Sequence, residues 1–156
     1  MFAPEEILGR EFRVVSLIGE GGFGEVYLVE KFDKTLFALK TIRKEYSIDS
    51  DIVERFKRES SIWLELEHEN IVKAYFVQEL AGRLCLQLEY IPPNSFNINT
   101  LRQYMRISPP NLHQILYWAI QFCLGMEYAY SRGLRSHRDI KPENILINLS
   151  PELKIM

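Results

Sequence analysis

The chain has little cysteine, no excess of positive charge and no long apolar run. Its two cysteines, Cys85 and Cys123, stand far apart in 156 residues. They make neither a disulfide framework, a CxxC redox pair nor a zinc ligand set. Cys85 sits in an apolar alternating run and Cys123 on an apolar helix stripe, so both read as small buried hydrophobes. Nineteen Lys and Arg against 21 Asp and Glu give a formal net charge of −2. No global positive field draws such a chain to nucleic acid or to an anionic membrane. Nowhere do about 18 apolar residues run together, so no membrane span is expected. Met1-Phe2-Ala3-Pro4-Glu5-Glu6 lacks the basic flank and apolar run of a signal peptide, and the expected address is cytoplasmic. Seven Pro and eight Gly exclude collagen-like and low-complexity classes. What is present is 47% hydrophobic and 12% aromatic residues, enough for a packed core in a chain of ordinary domain length.

Hydrophobic patterning divides the chain in two. Residues 12–18, 25–30 and 35–42 are β-rich and joined by short turns, which predicts an antiparallel meander. A helix is expected over 51–66, with Ile52, Phe56, Ile62, Trp63 and Leu66 at helical spacing, Glu59 on the same face, and Asp51 with Glu54 as a capping pair. Two further strands follow near 71–78 and 83–89. Ile91-Pro-Pro-Asn-Ser95 breaks regular structure, and the boundary is set there: a first part of residues 1–91 and a second of 92–156. The second part predicts a short helix over 99–105. A long amphipathic helix follows to about Ser131, marked by Leu112, Ile115, Leu116, Ala119, Ile120, Cys123 and Met126 and ended by Gly133. Two small strands are expected at 145–147 and 153–156. The fold class is α+β: five antiparallel strands with one helix, then a mainly helical part.

Three features carry chemistry. Gly19-Glu-Gly21-Gly-Phe-Gly24 precedes a strand, not a helix, which disfavours a dinucleotide-binding turn. Such a hairpin either brings backbone close to phosphates or is a plain turn. Lys40 shares a strand face with Ala38, either beneath the glycine flap or as an exposed edge lysine. Glu59 on its helix face is costly to bury alone, and pairing with Lys40 would resolve that; the other reading is a half-exposed Glu. The strongest local signal is His137-Arg-Asp139-Ile-Lys141-Pro-Glu-Asn144. Asp139 can accept a hydroxyl proton and orient a nucleophile. The Asn144 amide oxygen suits Mg²⁺. Lys141 can neutralise a phosphoryl group in transfer. His137 reads as an interior residue, since no second His or Cys stands near it to share a metal.

Taken together, the glycine loop, strand lysine, helix glutamate and HRDxKxxN loop resemble the eukaryotic-type protein kinase family, and Lys141-Pro142 favours its Ser/Thr branch. The resemblance implies a kinase-like fold with an antiparallel N-terminal lobe and a truncated, mainly helical C-terminal lobe. It implies ATP and Mg²⁺ as cofactors and protein Ser/Thr hydroxyls as substrate. Gly19, Gly21 and Gly24 would cover the ATP phosphates, and Val26 and Ala38 would contact adenine, with Ile18 in the same cofactor-binding set. Lys40 would hold the α- and β-phosphates, positioned by Glu59. Leu88 falls at the gatekeeper position, the backbone of Glu89 and Ile91 would bond adenine, and Leu146 would lie beneath the ring. Asp139 would be the catalytic base, Lys141 the phosphate contact and Asn144 the metal ligand.

The chain also departs from the family pattern. The sequence contains no Asp-Phe-Gly triplet after the catalytic loop, so it resembles roughly the first half of a kinase domain, and this polypeptide alone is expected to be inactive or nearly so. Arg135-Ser136 replaces two residues that are usually apolar, and Arg138 would pair with a phosphorylated activation loop. The competing readings are a non-catalytic nucleotide-binding or interaction module from a truncated gene, and a small-molecule phosphotransferase.

Overall fold

The computed structural model describes residues 1–137 and 139–156. Two compact units emerge, residues 1–64 with 74–90 and residues 65–73 with 91–156. Among the described residues no helix is long and apolar enough to cross a membrane.

The first unit is an antiparallel sheet of β1 (Ile7–Leu8), β2 (Phe12–Glu20), β3 (Gly24–Lys31), β4 (Leu36–Ile42), β5 (Ala74–Leu80) and β6 (Arg83–Glu89), in the order β1-β2-β3-β4-β6-β5. Alternation along the strands explains the core. Phe12, Val14, Tyr27, Val29, Leu39 and Cys85 point to one face and are buried. Phe2 and Leu8 from the chain start close over them. β1 is a sixth strand beyond the five expected, too short to show a period of two. Its Leu8 is nonetheless buried and adds one edge to the sheet.

Helix α1 (Ser50–Leu64) starts differently from the expected capping pair. The Asp49 carboxylate accepts from the N–H groups of Asp51 (3.0 Å) and Ile52 (3.2 Å), so Asp49 fills the capping role. Glu54 instead pairs with Lys57 at 2.8 Å. Ser60 is the one fully buried residue of α1, while Ile52, Phe56, Ile62 and Trp63 are half-buried.

The second unit is built on α2 (Leu101–Ile107), α3 (Leu112–Ser131) and the hairpin of β7 (Ile145–Ile147) and β8 (Leu153–Ile155). Thr100 and Gln103 form a reciprocal capping box at α2, and the Asn111 side chain caps α3. Gly133 follows α3 at φ +94°, a conformation that favours glycine. Residues 65–73, left with the first part by the sequence reading, belong to this unit. Their backbone adds to β8: Ile155 N–H donates to Asn70 O at 2.9 Å, and Val72 N–H to Ile155 O at 2.8 Å. A Cβ on Gly125 would stand 3.1 Å from Asn70 O, so α3 passes closely by the same segment.

The buried face of α3 shares Met126 with the apolar stripe marked in the sequence and otherwise lies beside it. It comprises Trp118, Gln121, Gly125, Met126 and Ala129, with Trp118 Nε1 donating to Pro151 O at 2.8 Å and Gln121 Oε1 accepting from Leu153 N–H at 2.9 Å. Leu112, Ile115, Leu116 and Ile120 are exposed, and so is Cys123, which the sequence reading buries. Residues 134–137 form no strand; Leu134 is buried while Arg135 and Ser136 face solvent, as their polarity dictates.

Candidate functional site

In the first unit the strand register places the candidate residues. Val26 pairs with Lys40, Leu28 with Ala38, and Ala38 with Leu88. Cross-strand partners share a face, so Val26, Ala38, Lys40 and Leu88 lie on the sheet face opposite the Tyr27–Leu39 core. Ala38 and Leu88 are buried, while Lys40 is exposed. Gly19 pairs with Val26 near the hairpin end, and Ile18 beside it is exposed. Glu89 ends β6 on the other face.

The glycines of the hairpin have different reasons to be glycine. A Cβ on Gly24 would meet Thr41 O at 3.1 Å, so the fold itself restricts that position, whereas one on Gly19 would meet Val26 Cβ at 3.4 Å, an ordinary contact. A Cβ on Gly21 would find only Gly24 O at 4.0 Å, and one on Gly22 would find nothing within 4 Å. Neither has a positive φ. Gly21 N–H donates to Gly24 O at 2.9 Å and closes the turn. The open space at Gly21 and Gly22 is room that a ligand can take.

The base of the hairpin is tied by a buried ion pair that the sequence reading missed. Glu25 and Arg83 are 2.6 Å apart, each with 4% of its side chain exposed. Arg83 Nε also donates to Ile42 O at 2.8 Å. Tyr27 Oη donates to Glu25 at 2.8 Å and accepts from Phe2 N–H at 2.9 Å. Burial alone pushes the Glu25 carboxyl up, but hydrogen bonds from Arg83 and Tyr27 outweigh it and hold the group below its ordinary value of 4.5.

Lys40 and Glu59 are not brought together. Glu59 is bound to Arg55, one helical turn earlier, at 2.9 Å with half its side chain exposed. Among the described residues Lys40 forms no ion pair. Of the two readings of Glu59, the structure shows the half-exposed one and not the pairing with Lys40. Arg55 supplies a local partner at i−4, and solvent removes the need for a cross-element one.

In the second unit Asp139, Lys141 and Asn144 form one hydrogen-bonded group. Lys141 Nζ is 2.9 Å from Asp139 Oδ1, and Asn144 Nδ2 donates to Asp139 Oδ2 at 2.7 Å and to Asp139 O at 2.9 Å. A 3₁₀ turn over Pro142–Asn144 carries the return, and Met156 N–H donates to Asn144 O at 2.9 Å. With Nδ2 turned to Asp139, the Asn144 Oδ1 accepts no hydrogen bond among the described residues, so a hard cation can use it. Arg102 from α2 binds Glu143 at 2.8 Å and holds that carboxyl below its usual range. Leu146, on β7, bridges to Thr100, and Asn99 beside it donates to Ile91 O at 2.8 Å. Arg138, assigned by resemblance to a phosphorylated loop, lies outside the described residues.

A family model for the protein kinase domain matches residues 12–156. Serine/threonine-protein kinase LATS2 of Mus musculus is 33% identical over 145 residues, covering 92% of this chain and 13% of that protein. The 3-phosphoinositide-dependent protein kinase B of Dictyostelium discoideum is 30% identical over 153 residues, covering 97% and 16%. The probable serine/threonine-protein kinase PknB of Lactococcus lactis is 29% identical over 153 residues, covering 96% and 23%. The crystal structure of the M. tuberculosis PknI kinase domain superposes with a TM-score of 0.77 at 25% identity, covering 99% of this chain and 60% of that one. The chain thus spans less than a quarter of the length of these curated relatives. With the domain match over nearly its whole length, and with the hairpin, strand lysine and Asp139–Asn144 loop in family order, the chain belongs to the protein kinase domain family.

Proposed function

We propose that this chain binds ATP with Mg²⁺ and carries the phosphoryl-transfer loop of a serine/threonine protein kinase acting on protein hydroxyls. The observation that supports it most is the hairpin, where Gly21 and Gly22 lack side chains for no reason of packing or backbone conformation. In this reading the backbone at Gly19, Gly21 and Gly24 covers the phosphates, and Lys40 neutralises the α- and β-phosphates. Ile18, Val26, Ala38, Leu88 and Leu146 contact the adenine ring, while the backbone of Glu89 and Ile91 hydrogen-bonds its edge. Glu59 would leave Arg55 to position Lys40. Asn144 Oδ1 would hold Mg²⁺, which supplies charge stabilisation at the phosphates. The Asp139 carboxylate accepts the substrate hydroxyl proton and orients its oxygen, since a carboxylate offers several acceptor positions on its two oxygens. Lys141, already beside Asp139, stabilises charge on the transferred group. We also place the protein in the cytoplasm, where ATP is abundant and where the free thiols Cys85 and Cys123 persist.

Calorimetry with ATP, with and without Mg²⁺, tests the reading on the chain and on Lys40→Met. Mg²⁺-dependent binding lost in the variant is expected; a folded wild-type chain that binds no nucleotide contradicts it. One observation favours a second reading, nucleotide binding without transfer: Glu59 is held by Arg55 instead of Lys40. Its signature is ATP binding with no labelled phosphate reaching a protein substrate.

A further inference from the structure

Arg43 follows β4 directly and reaches the glycine hairpin through three hydrogen bonds. Its Nε donates to Gly21 O at 3.0 Å, and its Nη2 donates to Glu20 Oε1 at 2.6 Å. Its backbone N–H donates to Phe23 O at 3.0 Å. The 3₁₀ turn that begins after it, Lys44–Tyr46, sets Tyr46 edge-on to Phe23 at 5.4 Å between ring centroids. Three of the hairpin's oxygens, two carbonyls and one carboxylate, are thus engaged by one residue. The N–H groups of Gly22 and Phe23 form no hydrogen bond among the described residues.

The electrostatic consequence depends on what the loop receives. A polyphosphate approaching backbone carbonyls and a carboxylate is repelled; one approaching N–H groups is attracted. The Arg43 guanidinium takes up the Gly21 carbonyl and neutralises Glu20, while its backbone N–H takes up the Phe23 carbonyl, leaving amide hydrogens as the unused groups. A guanidinium does this where an ammonium does so less well, because its planar fork spans two acceptors at once.

We propose that Arg43 is a positioning residue for the glycine hairpin, setting affinity for the polyphosphate and not for the adenine ring. The proposal rests on the ATP-binding reading for its functional half and on the hairpin geometry alone for its structural half.

The test uses the 156-residue chain, Arg43→Ala and Arg43→Lys, with two readouts. Without nucleotide, amide hydrogen exchange is followed at Gly21, whose N–H bonds to Gly24 O, and at Tyr27 and Leu39 in the core. Arg43→Ala should raise exchange at Gly21 by about tenfold, since a charged hydrogen bond is being removed, and leave Tyr27 and Leu39 unchanged. Arg43→Lys should fall between. With nucleotide, Arg43→Ala should weaken ATP by about tenfold, ADP by less, and adenosine by under about twofold. Adding Glu20→Gln to Arg43→Ala should recover part of the ATP loss, because the unneutralised carboxylate is gone.

Unchanged exchange at Gly21 overturns the clamp. Equal weakening of ATP and adenosine overturns the positioning role and makes Arg43 a general stabiliser. A wild-type chain that binds none of these nucleotides defeats the ATP reading, and with it the claim that Arg43 sets polyphosphate affinity; the exchange readout still decides whether Arg43 clamps the hairpin.

Discussion

In the first unit the groups assigned to nucleotide binding sit on strands; in the second the groups assigned to transfer sit on a loop. The difference decides how each set is held. Val26, Ala38, Lys40 and Leu88 are placed by sheet register, with a buried core behind them and the Glu25–Arg83 pair tying the hairpin base. Asp139, Lys141 and Asn144 are placed by their own side-chain hydrogen bonds and by Arg102 on Glu143, all solvent-accessible. Site geometry in the first unit is therefore tied to stability. In the second it is a local property, separable from the fold.

Breaking the buried pair should have the largest effect. Arg83→Met leaves Glu25 buried and unpaired and should destabilise the first unit by about 3–5 kcal/mol. Trp63 in the first unit and Trp118 in the second allow the units to be followed separately, by urea unfolding of Trp63→Phe and Trp118→Phe backgrounds. The loss should appear in the Trp63 signal alone. Acid sharpens the same point. The folded pKa of Glu25 lies below its ordinary 4.5, so the pair's contribution is complete above 4.5 and is lost as pH falls through the depressed value. Wild type should lose stability over that range more steeply than Arg83→Met; parallel pH profiles would sever Glu25 from the effect.

The loop should behave in the opposite way. Asp139→Asn removes the proposed proton acceptor and should lower phosphoryl transfer by about 100-fold or more in any form of the protein that shows transfer. Because Asp139 is 61% exposed in its side chain, the unfolding free energy should stay within about 0.5 kcal/mol of wild type. A large drop in stability would mean that the loop is part of the core.

The smallest effect is expected on α3. Ile120 and Leu116 are 59% and 55% exposed beside a hollow lined by Leu101, Ile115, Trp118, Phe122, Ile145 and Leu153. A contiguous apolar face of this kind promotes association. Ile120→Glu should reduce self-association in sedimentation without changing the unfolding free energy; an unchanged sedimentation profile would show that this face does not drive association.

Much of this was legible in the sequence because periodicity reports burial directly. The β3–β4 pairing, the α3 span and the β7–β8 hairpin follow from alternation, helical spacing and turn residues. Three things did not. The stripe from Leu112 to Cys123 has the right spacing for a buried face, yet the face that packs is the one carrying Gln121 and Gly125. Pattern cannot reveal that a glutamine is needed to accept from Leu153 N–H, or that Asn70 must approach a glycine. The sequence leaves Glu59 between a distant partner and half-exposure, and the partner that settles it, Arg55 one turn away, follows only from i, i+4 spacing. Arg83 and Arg43 left no local signal, because their partners are reached only through strand register.

The most direct test of the account is residue-resolved: amide spectra of the isotopically labelled chain titrated with ATP and Mg²⁺. The account predicts shifts at Gly21, Gly22, Val26, Ala38 and Glu89, together with Mg²⁺-dependent shifts at Asp139 and Asn144, while Tyr27 and Ala129 stay still. No shift in the hairpin, no Mg²⁺-dependent shift at Asn144, or shifts scattered along the exposed face of α3 would contradict the proposed binding of ATP and Mg²⁺.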